Sequence, residues 1–425
     1  MIKQTKTVWG WAFYDWANSA FSTTVVAGFF PIFFEKYWSN PEDVIQSTYQ
    51  LGFANSIASI LIAVTSPFLG AIADRGSAKK KFLIIFAFFG IVMTSALWLV
   101  GQGDWQMAVL FYVLASFGFM GSNIFYDSLL PAVSNKDNVD FVSSLGFSLG
   151  YLGGGLLFLI NVLMYLNPEW FGISDAATAI RISFISVAMW WAVFSIPIML
   201  FVHEPINEDS VPLYKAINAG YIQLKTTFKH IQEMRVIGIF LLSYWFYIDG
   251  VDTIIRMAVK MGSSIGFETA DLITALLMVQ FIAFPAAILY NSFAQKIGVK
   301  NAVFIAIAGY ALATFLAYFM TDRLHFFALA ALIGLFQGGI QALSRSLYSR
   351  LIPKNREAEF FGFYNMLGKF AAVIGPMLMG WITLQTGNIR FGILSILILF
   401  ILGALLLSKV DFKKGEEIAA NFGKN

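Results

Sequence analysis

Residues 11–21 read Trp11-Ala-Phe-Tyr-Asp-Trp-Ala-Asn-Ser-Ala-Phe21 and place a carboxylate, Asp15, and an amide, Asn18, inside an apolar segment that continues to Phe34. The segment is long enough to span a bilayer. A carboxylate at the centre of a membrane helix costs roughly 2.5 to 3.5 kcal/mol, so it is expected to face protein or water and to be functional or paired. The architecture of the chain follows from this segment and from its repetition.

The same spacing of polar residues returns in the second half of the chain. Asp249 and Asp252 repeat the interval between Asp15 and Asn18, and in each half a tryptophan stands four residues before the first member of the pair. The repetition indicates two related halves with polar groups at matching depths in the membrane.

Composition excludes several classes of protein. Of 425 residues, 58% are hydrophobic and 12% charged, and the mean hydropathy is +0.71, which is typical of a polytopic membrane protein. The formal charge of +3 is spread through short loops, so no nucleic-acid binding is expected. The chain has no cysteine, and its histidines, His203, His230 and His325, show no metal-ligand spacing. Neither a metal nor another cofactor is predicted.

Twelve apolar stretches have the length of a membrane-spanning helix, about 20 residues or more. They cover residues 8–34, 47–73, 80–101, 105–131, 139–165, 179–202, 234–261, 268–291, 298–320, 324–351, 358–384 and 389–409. Most of the 28 lysines and arginines lie in loops on the side that holds both termini, which predicts cytoplasmic termini. The short termini favour a multi-pass protein of a cell inner membrane, although an organelle membrane stays open.

A long polar interval at 203–233 divides the chain into two six-helix bundles, 1–202 and 234–425. Within the interval, apolar residues recur at helical spacing: Leu213, Ile217, Tyr221, Leu224, Phe228 and Ile231. The pattern predicts an amphipathic helix that lies at the cytoplasmic membrane surface. A solvated linker helix is the alternative that these residues leave open.

Two six-span halves with the loop Gly70–Lys81 after span two, and a weaker copy at 291–301 after span eight, resemble the major facilitator superfamily over the whole chain. The resemblance implies an all-α integral membrane fold of twelve transmembrane helices in two pseudo-symmetric six-helix bundles. Further segments look like signatures of the vacuole effluxer family, the autophagy-related amino-acid exporters and their bacterial relatives: Phe13–Phe21, Leu145–Gly154, Gln341–Ser346, Phe360–Tyr364, Gly368-Lys369 and Gly375-Pro376. Two departures are Gly76, directly after Arg75, and Asp127, where the family pattern suggests an amide.

By this resemblance, spans one, four, seven and ten line a central cavity near the membrane midplane. Asp15 and Asn18 share one helix face because they are three residues apart, and Asp252 is placed to pair with Arg256 one turn later. The candidates for substrate binding or ion coupling are Tyr14, Asp15, Asn18, Tyr247, Asp249, Asp252, Arg256, Gln337, Gln341 and Lys369.

Each candidate also has a structural explanation. Asp252 with Arg256 could be a neutralised structural pair, and Asn18 could make only an interhelical hydrogen bond. Asp249 has no local partner, which favours a substrate or proton role, while Asp15 could hold a helix contact instead. Lys369 is expected to bind a substrate carboxylate or to pair with Asp127 or another acid across helices, since a buried lysine without a partner would lose its charge.

A second set of residues is predicted to gate the cavity. In the superfamily the loop after span two latches one conformation by a charge contact to the opposite half, and here Asp74 would take that role, with Gly70 for close helix approach and Arg75 beside it. Asp127 near the end of span four is predicted to form a gate or charge relay with Arg345. None of these groups is expected to be catalytic.

The function expected from these features is a carrier of small polar solutes that works by alternating access. No Gly-x-x-x-x-Gly-Lys-Ser/Thr loop occurs, so transport would be facilitated or ion-coupled, with protons as the candidate ion. The amino-acid substrate, and export as its direction, come from the resemblance alone. A membrane enzyme acting on a lipid, a channel, and a receptor or scaffold that kept the carrier fold remain alternatives; an enzyme is not expected, and no oligomer is predicted.

Overall fold

The computed structural model describes residues 2–40, 44–207, 210–229 and 234–422, with side chains described for all of these except residues 2–4, 44–45, 48, 256–261, 263–265 and 369–373. Throughout this part of the chain the regular structure is helical and no strand occurs. The α-helices are α1 (Ile2–Ala20), α2 (Phe30–Phe33), α3 (Val44–Gly76), α4 (Lys79–Ala96), α5 (Trp105–Ser128), α6 (Leu130–Val133), α7 (Val139–Leu166), α8 (Ala176–Phe194), α9 (Ile196–Phe201), α10 (Leu213–Lys229), α11 (Arg235–Ile265), α12 (Thr269–Ile297), α13 (Val299–Ala317), α14 (Arg323–Arg350), α15 (Glu357–Thr386), α16 (Ile389–Ser395), α17 (Leu397–Ser408) and α18 (Phe412–Asn421).

The membrane explains why the long elements are helices, because in lipid every backbone N–H and C=O must find a partner within its own segment. Eleven helical segments of the described part are long and apolar enough to cross a bilayer. The helix α15 has 30 residues and lies between the tenth and the last of these segments; it contains residues 369–373, whose side chains are not described. With α15 the predicted twelve spans are complete.

The first span departs from a regular α-helix. Beyond α1, the backbone is π-helical at Phe21–Phe29 and again at Phe34–Trp38. Such stretches are rare and usually short. Gly28 allows close packing here, since a Cβ at this position would stand 2.6 Å from the ring of Phe158 in α7. The π-helical part begins directly after α1, which carries Asp15, and it continues along the cavity described below.

Apolar side chains form two separate cores. One consists of residues between 11 and 202 with only Ile273 and Ala358 added from the second half, and the other consists of residues between 234 and 410. This distribution agrees with two bundles, while the domain bounds 1–202, 203–233 and 234–425 stay a prediction.

The two halves touch most closely at the end of α3 and the beginning of α15. A Cβ at Gly70 would lie 2.1 Å from the carbonyl oxygen of Ala358, and a Cβ at Gly362 would lie 2.6 Å from the carbonyl oxygen of Ser66. Glycine is therefore required for the backbones of the two halves to meet here. We call this end of the molecule the linker side, because the linker helix α10 packs against α3 at the same end, with Gly220 beside Ile72.

Candidate functional site: a central cavity and the contact between the halves

A cavity of about 450 Å³ lies between the two halves. As expected, α1, α5, α11 and α14, which are spans one, four, seven and ten, all contribute side chains to its wall. Of the eight predicted substrate or coupling residues whose side chains the structure describes, five line the cavity: Asp15, Asn18, Asp252, Gln337 and Gln341.

The wall formed by the first half is the more polar of the two. Its polar side chains include Asn18, Ser22, Asn55, Ser59, Ser116 and Asn123. The amide of Asn18 donates to Asn123 Oδ1 at 2.6 Å, and the Tyr112 hydroxyl donates to Asn55 Oδ1 at 2.8 Å. These hydrogen bonds hold amide and hydroxyl groups in fixed positions at the cavity, as a site that orients a ligand requires.

The wall formed by the second half is largely apolar. From α13, α14 and the turn between them come Ala313, Ala317, Met320, Phe326, Leu329 and Ile333. The exceptions are Asp252 on α11, one amide on α12 and two on α14, of which Gln341 accepts a hydrogen bond from the Tyr151 hydroxyl. Among the lining residues that the structure describes, the charged ones are the carboxylates Asp15 and Asp252. The cavity is thus amphipathic, with two carboxylates on its wall.

Asp15 lies at the boundary between the cavity and the closed linker side. Its Oδ2 accepts a hydrogen bond from the Tyr126 hydroxyl at 3.2 Å and stands 3.7 Å from Arg345 Nη1. Gly150 on α7 makes room for this carboxylate, because a Cβ there would lie 3.2 Å from Asp15 Oδ1. A change of charge at Asp15 is therefore felt directly by a guanidinium of the opposite half.

Arg345 forms the centre of the contact between the halves. Its Nη1 donates to Asp127 Oδ1 at 2.9 Å, and its Nε donates to Ser143 Oγ at 3.0 Å, so one side chain of α14 bridges α5 and α7. The rings of Trp11, Tyr126 and Phe147 surround the guanidinium at 5.0, 5.5 and 4.2 Å. The predicted pairing of Asp127 with Arg345 is present; its role as a gate stays a prediction.

Asp74 makes the expected contact to the opposite half. Its two carboxylate oxygens accept the backbone N–H groups of Ala358 and Glu359 at 3.0 and 2.9 Å, so it caps the first turn of α15, where a negative charge is favourable. Lys79 joins the contact at 3.2 Å from Asp74 and 2.6 Å from Glu357. Arg75 contributes its carbonyl, which accepts the N–H of Val211 in the linker at 2.9 Å.

These features agree with what comparison with known proteins finds. The family model described as "Vacuole effluxer Atg22 like" matches residues 3–420. The chain belongs to the Atg22-like vacuole effluxer family. It is 37% identical over 422 residues to the MFS-type transporter YxiO of Bacillus subtilis, which covers 99% of this chain and 98% of the relative. Autophagy-related protein 22 of Saccharomyces cerevisiae is 24% identical, covering 80% of this chain and 73% of the relative.

Solved structures confirm the fold. The proton:xylose symporter XylE superposes with a TM-score of 0.71 at 15% identity, covering 98% of this chain and 97% of that one. The human organic anion transporter MFSD10 superposes with a TM-score of 0.70 at 11% identity, covering 95% of this chain and 99% of that one. This Atg22-like protein is therefore a multi-pass membrane transporter of the major facilitator superfamily, and not an enzyme.

Asp249, predicted to bind substrate or protons, is not among the cavity-lining residues. It is 1% exposed, and both of its oxygens accept the backbone N–H of Gly375 in α15, each at 3.0 Å. The Thr253 hydroxyl donates to Oδ1 at 3.2 Å. In this Atg22-like transporter the geometry favours a carboxylate that ties α11 to α15, and the functional role of Asp249 stays a prediction.

The remaining candidates lie elsewhere. Tyr14 is buried with its ring 5.1 Å from that of Tyr126, and the Tyr247 hydroxyl shares a hydrogen bond of 2.6 Å with Ser344 Oγ, so both tyrosines pack between helices of their own half. Neither belongs to the cavity wall. Arg256 and Lys369 fall outside the described side chains, so their predicted pairings remain predictions.

The sequence interpretation missed two contacts of this Atg22-like transporter. Arg350 at the end of α14 pairs with Asp140 at the beginning of α7 at 2.6 Å, which adds a further ion pair between the halves. The second missed contact is the hydrogen bond between Asn18 and Asn123. The polarity of Asn123 and its position within span four could have identified it as a cavity residue. Asp140 and Arg350 both lie at span ends on the predicted cytoplasmic side, which was the available signal for their pairing.

Proposed function

We propose that this protein carries a small amphipathic solute that bears a protonated amino group, an amino acid in the first instance, across the membrane by alternating access. The observation that carries the proposal is the pairing of the two cavity carboxylates, Asp15 and Asp252, with an apolar wall on α13 and α14. A carboxylate in a partly desolvated cavity attracts an ammonium group strongly. The apolar wall would receive the hydrocarbon part of the solute, and the fixed amides would receive its polar groups.

A link between the cavity and the gate supports alternating access. Asp15 lines the cavity and is also 3.7 Å from Arg345, which bridges the halves. A solute ammonium or a proton that neutralises Asp15 would weaken its attraction for Arg345 and so favour opening of the linker side. Because solute and proton would compete for one carboxylate, we propose exchange of the solute for protons.

The direction of transport follows from orientation, which is part of the proposal. If the termini are cytoplasmic, as the loop charges predict, the linker side faces the cytoplasm and the structure represents a form closed on that side. Export would then load the solute from the cytoplasm after the linker side opens. The relationship to vacuole effluxers supports this direction.

Counterflow in proteoliposomes tests the substrate class. Vesicles loaded with an unlabelled amino acid should take up the same labelled amino acid, whereas an amine-free carboxylic acid of equal size should not be exchanged. Asp15→Asn and Asp252→Asn should each lower the apparent kcat/KM of exchange about tenfold or more, since a hydrogen bond to a charged group contributes about 1.5 to 3 kcal/mol.

A matched control separates transport from folding. Asp175→Asn alters an exposed carboxylate that caps α8 through the N–H of Thr178, far from the cavity, and should leave exchange unchanged. If no amine-bearing solute exchanges in a monodisperse preparation, the substrate class is wrong. If the two cavity variants exchange amino acids as the wild type does, the assignment of the carboxylates is wrong.

A further inference from the structure

The linker helix α10 has three distinct faces. The face that packs on the transporter consists of residues that are small or polar, spaced at helical intervals and buried: Ala216, Gly220, Gln223 and Thr227. Gly220 is in close contact with α3, since a Cβ there would stand 2.9 Å from the backbone nitrogen of Ile72. The helix therefore docks through the side on which it has the least apolar surface.

Most of the exposed large apolar side chains of α10 form a second face that points away from the protein; the exception is Ile222, 54% exposed, which lies on the side of the lysines. The side chains of this face are Leu213, Tyr214, Ile217, Tyr221 and Phe228, and they are 49% to 76% exposed. At about 100° per residue these positions fall within roughly one third of the helix circumference. We call them the apolar stripe. A helix that faced water would turn such a stripe toward the protein, and here the arrangement is the reverse.

The third face is basic. Lys215, Lys225 and Lys229 lie with Asn218 beyond the stripe, on the part of the wheel opposite the buried residues, and all four are exposed. The helix thus presents an apolar stripe with lysines along its edge. This is the arrangement of a helix that lies in a membrane interface, where apolar groups enter the acyl boundary and lysines meet anionic headgroups.

We propose that α10 binds the surface of an anionic bilayer through the apolar stripe and its lysines, independently of which solute the protein carries. Charge complementarity supports this occupant, and the stripe continues onto a spanning helix: the ring of Phe228 packs edge-on against that of Phe363, an early residue of α15, at 6.0 Å. Tyrosines such as Tyr214 and Tyr221 suit an interface, because the ring is apolar and the hydroxyl is polar.

The buried face of α10 connects this surface to the closed linker side. Gln223 donates to Glu359 Oε2 at 2.7 Å, and Arg356 donates to Thr227 Oγ1 at 2.7 Å, so α10 holds the beginning of α15. Through Gly220 it also holds α3 of the other half. An anionic bilayer that fixes α10 in place therefore stabilises the form in which the linker side is closed.

Site-directed spin labelling tests the proposal, because the chain has no cysteine of its own. Ile217→Cys and Tyr221→Cys place a nitroxide on the stripe, and Asn218→Cys provides a matched control on the same helix. Val64→Cys, at a 72% exposed position of the spanning helix α3, provides a lipid reference. The full-length protein is placed in nanodiscs of phosphatidylcholine alone or mixed with phosphatidylglycerol, and collisions with oxygen and with a water-soluble nickel chelate are measured.

In nanodiscs with phosphatidylglycerol, labels at 217 and 221 should collide mainly with oxygen, as at position 64, while the label at 218 should collide mainly with nickel. The oxygen preference at 217 and 221 should fall in phosphatidylcholine alone, and combining Lys215→Gln, Lys225→Gln and Lys229→Gln should remove the difference between the two lipids. Stripe labels as open to nickel as the control would overturn the proposal in favour of a solvated linker. Equal depth in both lipids would overturn the requirement for anionic lipid, and protection from both reagents would indicate a protein partner instead.

Discussion

Asp15 and Asp249 occupy corresponding places in the two halves, yet the structure uses them differently. Asp15 lines the cavity and reaches a cation of the other half, Arg345, at 3.7 Å. Asp249 is buried within its own half, where it accepts the N–H of Gly375 with both oxygens. One sequence pattern thus supplies a carboxylate that lines the cavity in the first half and one that ties two helices together in the second.

The difference shows how a duplicated carrier becomes asymmetric. In each half the carboxylate lies against a glycine of a neighbouring helix, and in each half a residue four positions later packs beside it: a Cβ at Gly150 would lie 2.6 Å from Ser19 Oγ, and one at Gly375 would lie 2.0 Å from Thr253 Oγ1. Only in the second half does the helix that carries the glycine, α15, approach so closely that a backbone N–H, that of Gly375, reaches the carboxylate of Asp249. Asp249 is thereby withdrawn from the cavity, and Asp252 is the carboxylate that the mainly apolar wall of the second half keeps.

The strongest test of this comparison is the removal of Arg345, the cation that lies beside Asp15 but not beside Asp249. Arg345→Gln should lower the free energy of unfolding by about 3 to 5 kcal/mol and abolish exchange, because it removes the cation that lies 2.9 Å from the buried Asp127 and 3.7 Å from the buried Asp15. Thermal unfolding of the purified protein and counterflow measure the two effects. Arg350→Gln is the matched control, since its pair with Asp140 also joins the halves but the arginine side chain is 23% exposed; it should cost less. Equal losses for both variants would mean that Arg345 has no special place at the cavity.

The two carboxylates themselves provide the second test. Asp249→Asn should lower the free energy of unfolding by about 1.5 to 3 kcal/mol, because it removes a charged acceptor from a buried N–H, while the KM of exchange stays near that of the wild type. Asp15→Asn should do the opposite: exchange falls, any residual exchange no longer responds to a pH gradient, and the protein remains stable.

The result that would reverse this assignment is equally clear. If Asp249→Asn unfolds like the wild type but loses accumulation driven by a pH gradient, Asp249 is the coupling site that its sequence pattern suggested. Comparing unfolding with counterflow in the same preparation separates the two roles.

The glycines beside the carboxylates give a third and smaller contrast. Gly375→Ala should destabilise the protein by about 1 to 3 kcal/mol, because its Cβ would displace Thr253 and break the contact with Asp249. Gly150→Ala meets only the movable ends of Ser19 and Asp15, so it should raise the KM of exchange with a smaller change in unfolding. Thermal unfolding and counterflow of the two variants measure these effects. A larger loss of stability for Gly150→Ala than for Gly375→Ala would contradict the comparison.

Much of the fold could be predicted from sequence because membrane physics acts on local composition. Span length, loop charge and the repeated pair of polar residues each depend on a few neighbouring residues, and they led to twelve spans in two halves. The pairing of Asp127 with Arg345 was also predictable, since a buried charge requires a partner and the two residues come from the cavity-lining spans four and ten.

The rest depended on contacts between distant segments. The partner of Asp249 is a backbone N–H at Gly375, and no side-chain pattern reveals such an acceptor-donor pair. The π-helical stretch Phe21–Phe29 likewise packs against the distant helix α7 at Gly28, and its composition does not distinguish it from an α-helix. Hydropathy places a residue in a span, and only packing decides whether it faces the cavity or a neighbouring helix.

The smallest expected effect concerns the second members of the repeated pairs, Asn18 and Asp252, which both line the cavity. Asn18→Ala removes the hydrogen bond to Asn123, and interhelical hydrogen bonds in membranes contribute about 0.6 kcal/mol on average, so the KM of amino-acid exchange should rise only about threefold. Asp252→Ala removes a charge and should raise the KM at least tenfold for an amino acid while leaving that of an uncharged amide analogue nearly unchanged. Equal effects of the two substitutions on both solutes would show that the wall contributed by α11 does not recognise charge, and Asp15 would then be the one carboxylate that selects the ammonium group.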